Sequence, residues 1–358
     1  MKKAWMTVSA LTLMVALTAC GNTTKSGSSE PTATSTATAQ ATAAATTAAT
    51  TPAETVTYPV TIPNFKKAEG GTTWDAKEQV FDKAPERIMA NTRPAAELLL
   101  RLGLGDKIVG VGANFGAPDK AVEADYAKLN ILSDDYVGKE VTLGTNPDLV
   151  FGRGGLYDNA DWGVGTVDSL NGMGIKTYVL ESSIPGGTYA SIYKDIENVG
   201  KIFNVKEKAD AFIQELKTRQ EAIAAKLAGI KEQKTFVYLH MSDPNQVYVY
   251  AAGTESFFND VFKMVKLNNA YENVDGEVSV EKLIETNPDV LIIPNWGSSP
   301  SPEDIKKALY ANKQLAGMKA IQTKQIYAVD FNYMFGYSYN TIDGMELLAK
   351  DMYPDLFN

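Results

Sequence analysis

Apolar positions along the chain switch between two spacings, and the switching places the elements. Short apolar runs at Arg87–Ala90 and Lys107–Val111 predict strands. Between them Pro94 opens a helix whose apolar side is Ala95, Leu98, Leu99 and Leu102, stopped by Gly103-Leu104-Gly105-Asp106. Leu149–Phe151 and Thr177–Leu180 predict two further strands. A helical stretch follows from Tyr189 to Glu232, with a break near Asn204. Its second part, from Lys206 to about Leu227, carries Ala209, Phe212, Ile213, Leu216, Ile223 and Leu227 close to helical spacing. At 1.5 Å per residue, some 22–26 residues span roughly 33–39 Å, enough to bridge two lobes, although an ordinary surface helix has the same pattern. Strands return at Thr235–Leu239, Gln246–Tyr250, Val290–Pro294 and Ile326–Asp330, with helices at Ser256–Val265 and about Tyr339–Met352. The alternation of strand and helix predicts parallel α/β sheets.

One unit occurs twice. Glu140-Val-Thr-Leu-Gly-Thr-Asn-Pro-Asp-Leu-Val-Phe returns as Glu281-Lys-Leu-Ile-Glu-Thr-Asn-Pro-Asp-Val-Leu-Ile. Each copy has a Glu near a helix start and an Asn-Pro-Asp that feeds an apolar run suited to a buried parallel strand. Pro ends the helix and biases the residue before it toward extended backbone. The repeat predicts two similar α/β lobes with mostly parallel sheets, joined by one long rigid helix. A good helix-to-strand turn used twice would give the same string.

The N-terminus changes the picture. Lys2 and Lys3, an apolar run from about Val8 to Leu17, and Leu17-Thr18-Ala19-Cys20-Gly21 have the layout of a signal peptide over 1–19, too short for a membrane span. Cys20 is the chain's one cysteine, so an intrachain disulfide is impossible. Residues 20–57 are almost all Thr, Ala, Ser, Gly and Pro and are expected to form a disordered tether. The expected division continues with an N-terminal lobe at 58–188, a helical connection at 189–233 and a C-terminal lobe at 234–358. Loss of the leader, with Lys2 and Lys3, takes the formal net charge from −9 to −11. So acidic a surface argues against nucleic acid as a partner.

Several strings carry a resemblance. Ala84-Pro85-Glu86-Arg87-Ile88, Ala96-Glu97-Leu98-Leu99 and Leu102-Gly103-Leu104-Gly105-Asp106-Lys107-Ile108-Val109-Gly110-Val111 resemble the opening of the substrate-binding lipoproteins of ABC importers for ferric siderophores, haem and cobalamin. The twin Glu-x6-Pro-Asp units, Ala251-Ala252-Gly253-Thr254-Glu255-Ser256-Phe257-Phe258 and Val278-Ser279-Val280-Glu281 are similar to later signatures of that family. The resemblance implies two lobes joined by one rigid helix, ligand in the shallow cleft between them, and delivery to an ABC permease whose ATPase is a separate subunit. It implies that Cys20 follows a lipobox and becomes the lipidated first residue, holding the chain to the outer face of the cell membrane as a monomer. It also matches Glu140 and Glu281 to the positions that meet permease arginines. Each Glu equally suits a helix start, where a carboxylate complements the dipole by ~0.3–1 kcal/mol.

Ligands of open α/β sheets sit beyond the carboxyl ends of the strands. Of five arginines, Arg93 and Arg153 follow strand ends in the first lobe. A guanidinium fork suits the oxygens around a ferric centre, and a solvated loop charge is the plainer alternative. Gly152-Arg153-Gly154-Gly155 resembles a Gly-Arg pair of siderophore binders. The second lobe offers Trp296, His240, Phe331, Tyr333 and Tyr337 after strand ends, although any one such aromatic is more often core than ligand contact. His240 is the chain's one histidine, which weighs against a bare zinc or manganese site, while haem stays open through a Tyr or His axial ligand. A ferric siderophore is the first choice of cargo and cobalamin the runner-up, with no cofactor and no direct metal ligand. A lipid-anchored hydrolase is the less favoured class: there is no Gly-x-Ser-x-Gly and little from which to build a triad.

Overall fold

The computed structural model describes residues 57–274 and 276–357. The leader, Cys20 and the tether up to residue 56 lie outside the described residues.

The first sheet holds four parallel strands in the order Ile108–Val111, Ile88–Ala90, Leu149–Gly152, Lys176–Val179. In the second sheet Lys234–Leu239 pairs in parallel with Leu267–Asn269 on one side and Val290–Asn295 on the other, and Val290–Asn295 pairs in parallel with Ile326–Asp330. Counted over their parallel strands alone, both sheets therefore run second, first, third, fourth in chain order. Val249–Tyr250 and Glu277–Val278 extend the second sheet in antiparallel sense.

The repeated unit leads into the third strand of each sheet and has one structural job in both. Asn146 and Asn287 sit in the left-handed region, with φ 50° and 49°. This corrects the expectation of extended backbone before proline: Asn tolerates the left-handed conformation and uses it to end the helix. The following Asp then holds the start of the first strand. Asp148 accepts from the backbone N–H of Glu86 (2.8 Å) and Arg87 (2.9 Å), and Asp289 from the N–H of Thr235 (2.8 Å) and its hydroxyl (3.0 Å). Each lobe thus carries the same polar clasp between strands one and three.

The chain passes between the sheets through helices Tyr189–Phe203 and Lys206–Lys226, separated by Asn204 at φ 54°. The second, of 21 residues, is about 31 Å long. The two pack together, and Tyr193 donates to Gln220 across them (2.7 Å). One hydrophobic core runs from Ile88, Leu98 and Phe151 of the first lobe through Ile196, Phe212 and Leu216 of these helices to Phe236, Tyr238 and Phe258 of the second. Hinge closure needs a few residues free to change φ/ψ, and a continuous core resists that. Solution scattering should therefore give the same radius of gyration with and without ligand, and a marked compaction on binding would contradict this architecture.

Two short antiparallel pairs precede the first sheet, the hairpin of Phe65–Lys67 with Trp74–Ala76 lying in the chain between Val60–Ile62 and its partner Gln79–Phe81. They cover its last strand: Asn64 accepts from Val179 N–H (3.1 Å) and Gln79 from Thr177 N–H (3.2 Å). Among the described residues no helix is long and apolar enough to cross a membrane.

Candidate functional site

In a sheet ordered second, first, third, fourth, the connections leave in opposite directions from strands one and three, and ligands bind beyond their carboxyl ends. In the first lobe those ends lead to Asn91 and Arg153, in the second to His240 and Trp296.

Arg153 is fixed through its backbone. Gly152 has φ 142°, and a Cβ there would lie 1.9 Å from the Asn91 Oδ1. Only glycine permits that approach. Buried Asn91 then grips the next residue on both sides, accepting from Arg153 N–H (2.8 Å) and donating to Arg153 C=O (3.0 Å). The guanidinium lies over the Tyr337 ring, 4.9 Å from its centroid, and donates to the Tyr136 hydroxyl (3.2 Å).

Tyr337 ties the lobes together. Its hydroxyl donates to Glu255 Oε2 (2.7 Å), and its carbonyl accepts from the hydroxyl of first-lobe Ser182 (2.7 Å). Its φ is 50°, a conformation that costs a bulky residue on the order of 1–3 kcal/mol and that these contacts hold in place. The other Glu255 oxygen accepts from Tyr250 (3.1 Å). His240 pairs its Nδ1 with the Tyr238 hydroxyl (2.9 Å), and burial pushes its pKa below the usual value, so the imidazole is neutral at pH 7. Trp296 stands edge-on to His240 at 5.0 Å, stacks on Phe331 at 4.9 Å and donates to Met241 C=O (2.9 Å). Arg153, His240, Tyr248, Tyr250, Glu255, Phe331, Phe335 and Tyr337 enclose a cavity of about 240 Å³.

Of the residues singled out in the sequence, Arg153, His240, Phe331 and Tyr337 line this cavity, and Trp296 backs two of its walls. Arg93 and Tyr333 are placed elsewhere, in a half-buried polar cluster around the fully buried Glu97. Arg93 lies over Tyr126 at 4.5 Å, donates to Asn114 (2.6 Å) and faces Glu97 at 3.8 Å. Tyr333 lies beside Asp343, Asp330, Glu97 and Asp119, and burial raises its hydroxyl pKa. Glu140 and Glu281 are exposed second residues of helices Lys139–Gly144 and Val280–Thr286. The Glu281 carboxylate is held below its usual range by the backbone N–H and the Ser279 hydroxyl at that helix start.

The cluster around Arg93 is itself pH-sensitive. Glu97 is fully buried, and desolvation pushes its carboxyl to about 7 despite the Asp119 N–H donor and Arg93. Protonated in both folded and unfolded chains well below 4.5, Glu97 then costs nothing. Between its ordinary value of 4.5 and about 7 the unfolded chain releases the proton and the folded one keeps it, so stability falls as pH rises. Glu97→Gln should flatten that fall, melting above the wild type at pH 8 and close to it at pH 4. A variant that loses most stability at pH 8 would show instead an ionised Glu97–Arg93 pair that stabilises the fold.

Glu255, Tyr248, Tyr250, Phe335 and Asn91 were not singled out in the sequence. Glu255 lies inside Ala251-Ala252-Gly253-Thr254-Glu255-Ser256, and Tyr248 and Tyr250 alternate as one face of a strand must, so both signals were present. Among the described residues no group of three or more His, Cys, Asp or Glu could hold a metal ion. The arrangement is that of a recognition pocket: aromatic walls, one guanidinium and one carboxylate.

The model of the periplasmic binding protein family matches residues 88–333. A relative in Bacillus subtilis strain 168, the uncharacterized ABC transporter substrate-binding lipoprotein YvrC, is 26% identical over 291 residues, which cover 79% of this chain and 85% of that protein. A solved periplasmic binding protein from Veillonella parvula superposes with a TM-score of 0.71 at 22% identity, covering 82% of this chain and 99% of the other. The ABC-type Fe3+-hydroxamate transport system from Saccharomonospora viridis gives 0.66 at 23% identity, with 83% and 100% covered. At these identities the two structures bear on the fold.

Proposed function

This chain belongs to the periplasmic binding protein family, and on that premise we propose that it is the extracytoplasmic substrate-binding protein of an ABC importer, anchored through a lipid on Cys20. It captures a ferric siderophore in the cleft between its lobes and hands it to a permease powered by a separate ATPase subunit. It acts as a monomer and as a binding protein, not an enzyme. The iron chelate is cargo.

The observation that carries this reading is the convergence of both switch points on one cavity, with the Arg153 fork on one side and the aromatic wall of the second lobe on the other. The fork supplies charge-assisted donors to oxygens that hold Fe3+, and the rings cover the organic part of the chelate. A corrinoid is the second reading, favoured by the Trp296–Phe331 stack, on which a flat macrocycle could lie.

Titration of the purified chain with ferric siderophores, haem and cobalamin, followed by tryptophan fluorescence, separates the readings. Saturable quenching by a ferric chelate at micromolar or lower concentration supports the first. Saturation by cobalamin alone replaces it with the second.

A further inference from the structure

The walls of the cavity carry balanced charge, and the balance limits what can enter. Arg153 is the one cation among the lining residues and Glu255 the one carboxylate. His240 adds no charge at neutral pH. Glu255 is built in: Tyr250 and Tyr337 donate to its two oxygens at 3.1 and 2.7 Å, which keeps the carboxylate at the cavity wall. Through Tyr337 it is also coupled to Arg153, whose guanidinium covers the other side of the same phenol. The site is therefore an Arg–Tyr–Glu relay with no net charge, on a chain whose formal charge is already strongly negative.

Ferric chelates differ sharply in charge. Three hydroxamates cancel the charge of Fe3+, so the complex is neutral, or cationic where the ligand has a free amine. Three catecholates leave the complex trianionic. Both present anionic oxygens around the metal, so Arg153 alone does not choose between them. A carboxylate in the wall does, because a like charge brought to it in a partly desolvated site is strongly disfavoured.

We propose that Glu255 is the specificity-determining residue of the site, admitting neutral or monocationic ferric hydroxamates and rejecting polyanionic ferric catecholates. This rests on the ferric-chelate reading above and names the class of chelate within it. Glu255 acts by charge, while the tyrosines it holds act by shape, so the isosteric Glu255→Gln separates the two: the amide keeps the volume and accepts from a tyrosine hydroxyl, but carries no charge.

The test is a set of fluorescence titrations of wild type and Glu255→Gln with ferrichrome, a neutral tris(hydroxamate), and with ferric enterobactin, a trianionic tris(catecholate). The wild type should bind ferrichrome more tightly by roughly tenfold or more, and the variant should shrink that ratio by about tenfold, chiefly by gaining affinity for the catecholate. Circular dichroism of both proteins establishes that the variant is folded. An unchanged ratio in the folded variant, or a wild type that prefers the catecholate, overturns the assignment of Glu255 while leaving the ferric-chelate reading intact. Failure of both chelates to bind, with saturation by cobalamin, overturns the ferric-chelate reading and this inference with it.

Discussion

With Arg153 replaced by alanine, the chain should bind a ferric chelate roughly ten- to 150-fold more weakly, about 1.5–3 kcal/mol, the scale of hydrogen bonds to a charged group. The loop itself should persist, because Asn91 grips the Arg153 backbone and not its side chain. No other arginine can replace the fork. Arg87 donates to the carbonyls of Thr145 and Asn146, Arg93 is engaged by Asn114 and Tyr126, Arg101 pairs with Glu215, and Arg219 clasps Asp343 and Glu346. Arg153→Lys should recover part of the affinity, restoring charge without the planar fork. Trp296 is the reporter in the same titration. Trp162, 45% exposed and absent from the cavity wall, can be replaced by Phe to remove its background. Unchanged affinity in Arg153→Ala would put the guanidinium outside the binding site.

Replacing Glu140 and Glu281 together by alanine should abolish most uptake while leaving chelate affinity nearly intact. Both are exposed, both are the second residue of a short helix, and both helices run into the third strand of their sheet. The two carboxylates therefore occupy equivalent places on equivalent lobes, as a pair of anchors for one permease would. Charge pairs at such an interface act mainly on encounter and orientation, so permease binding by the double variant should also become less sensitive to salt. Each single variant should retain partial uptake. Normal uptake by the double variant would leave both residues as helix-start carboxylates, a role that the contacts of Glu281 already fit. Lost chelate binding would instead move them into the pocket.

Much of the fold could be read from the sequence, and the physical reason is periodicity. The strands of the two sheet centres are continuous apolar runs bounded by turn residues. The helices opened by Pro94 and by Lys206 carry amphipathic spacing. Leu267–Asn269 and Glu277–Val278 were not legible, because two or three mixed residues have no period. The short antiparallel pairs over the first lobe escaped for the same cause, and Asn64 and Gln79 dock them on a strand distant in the chain. In the site, position after a strand end found Arg153, His240 and Trp296. It could not separate Arg153 from Arg93, since both follow strand ends. That distinction depends on Tyr126 and Asn114, which reach Arg93 only once the chain is folded. Glu255 was quoted only as part of a longer string, and its meaning comes from Tyr250 and Tyr337, which reach its two oxygens only in the folded chain.

Native mass spectrometry of the protein purified from its own host, grown under iron starvation, reads the occupant of the cleft directly. The expected result is a co-purifying species with the mass of an intact siderophore and one ferric ion, lost on acidification or denaturation. A corrinoid mass in its place would contradict it.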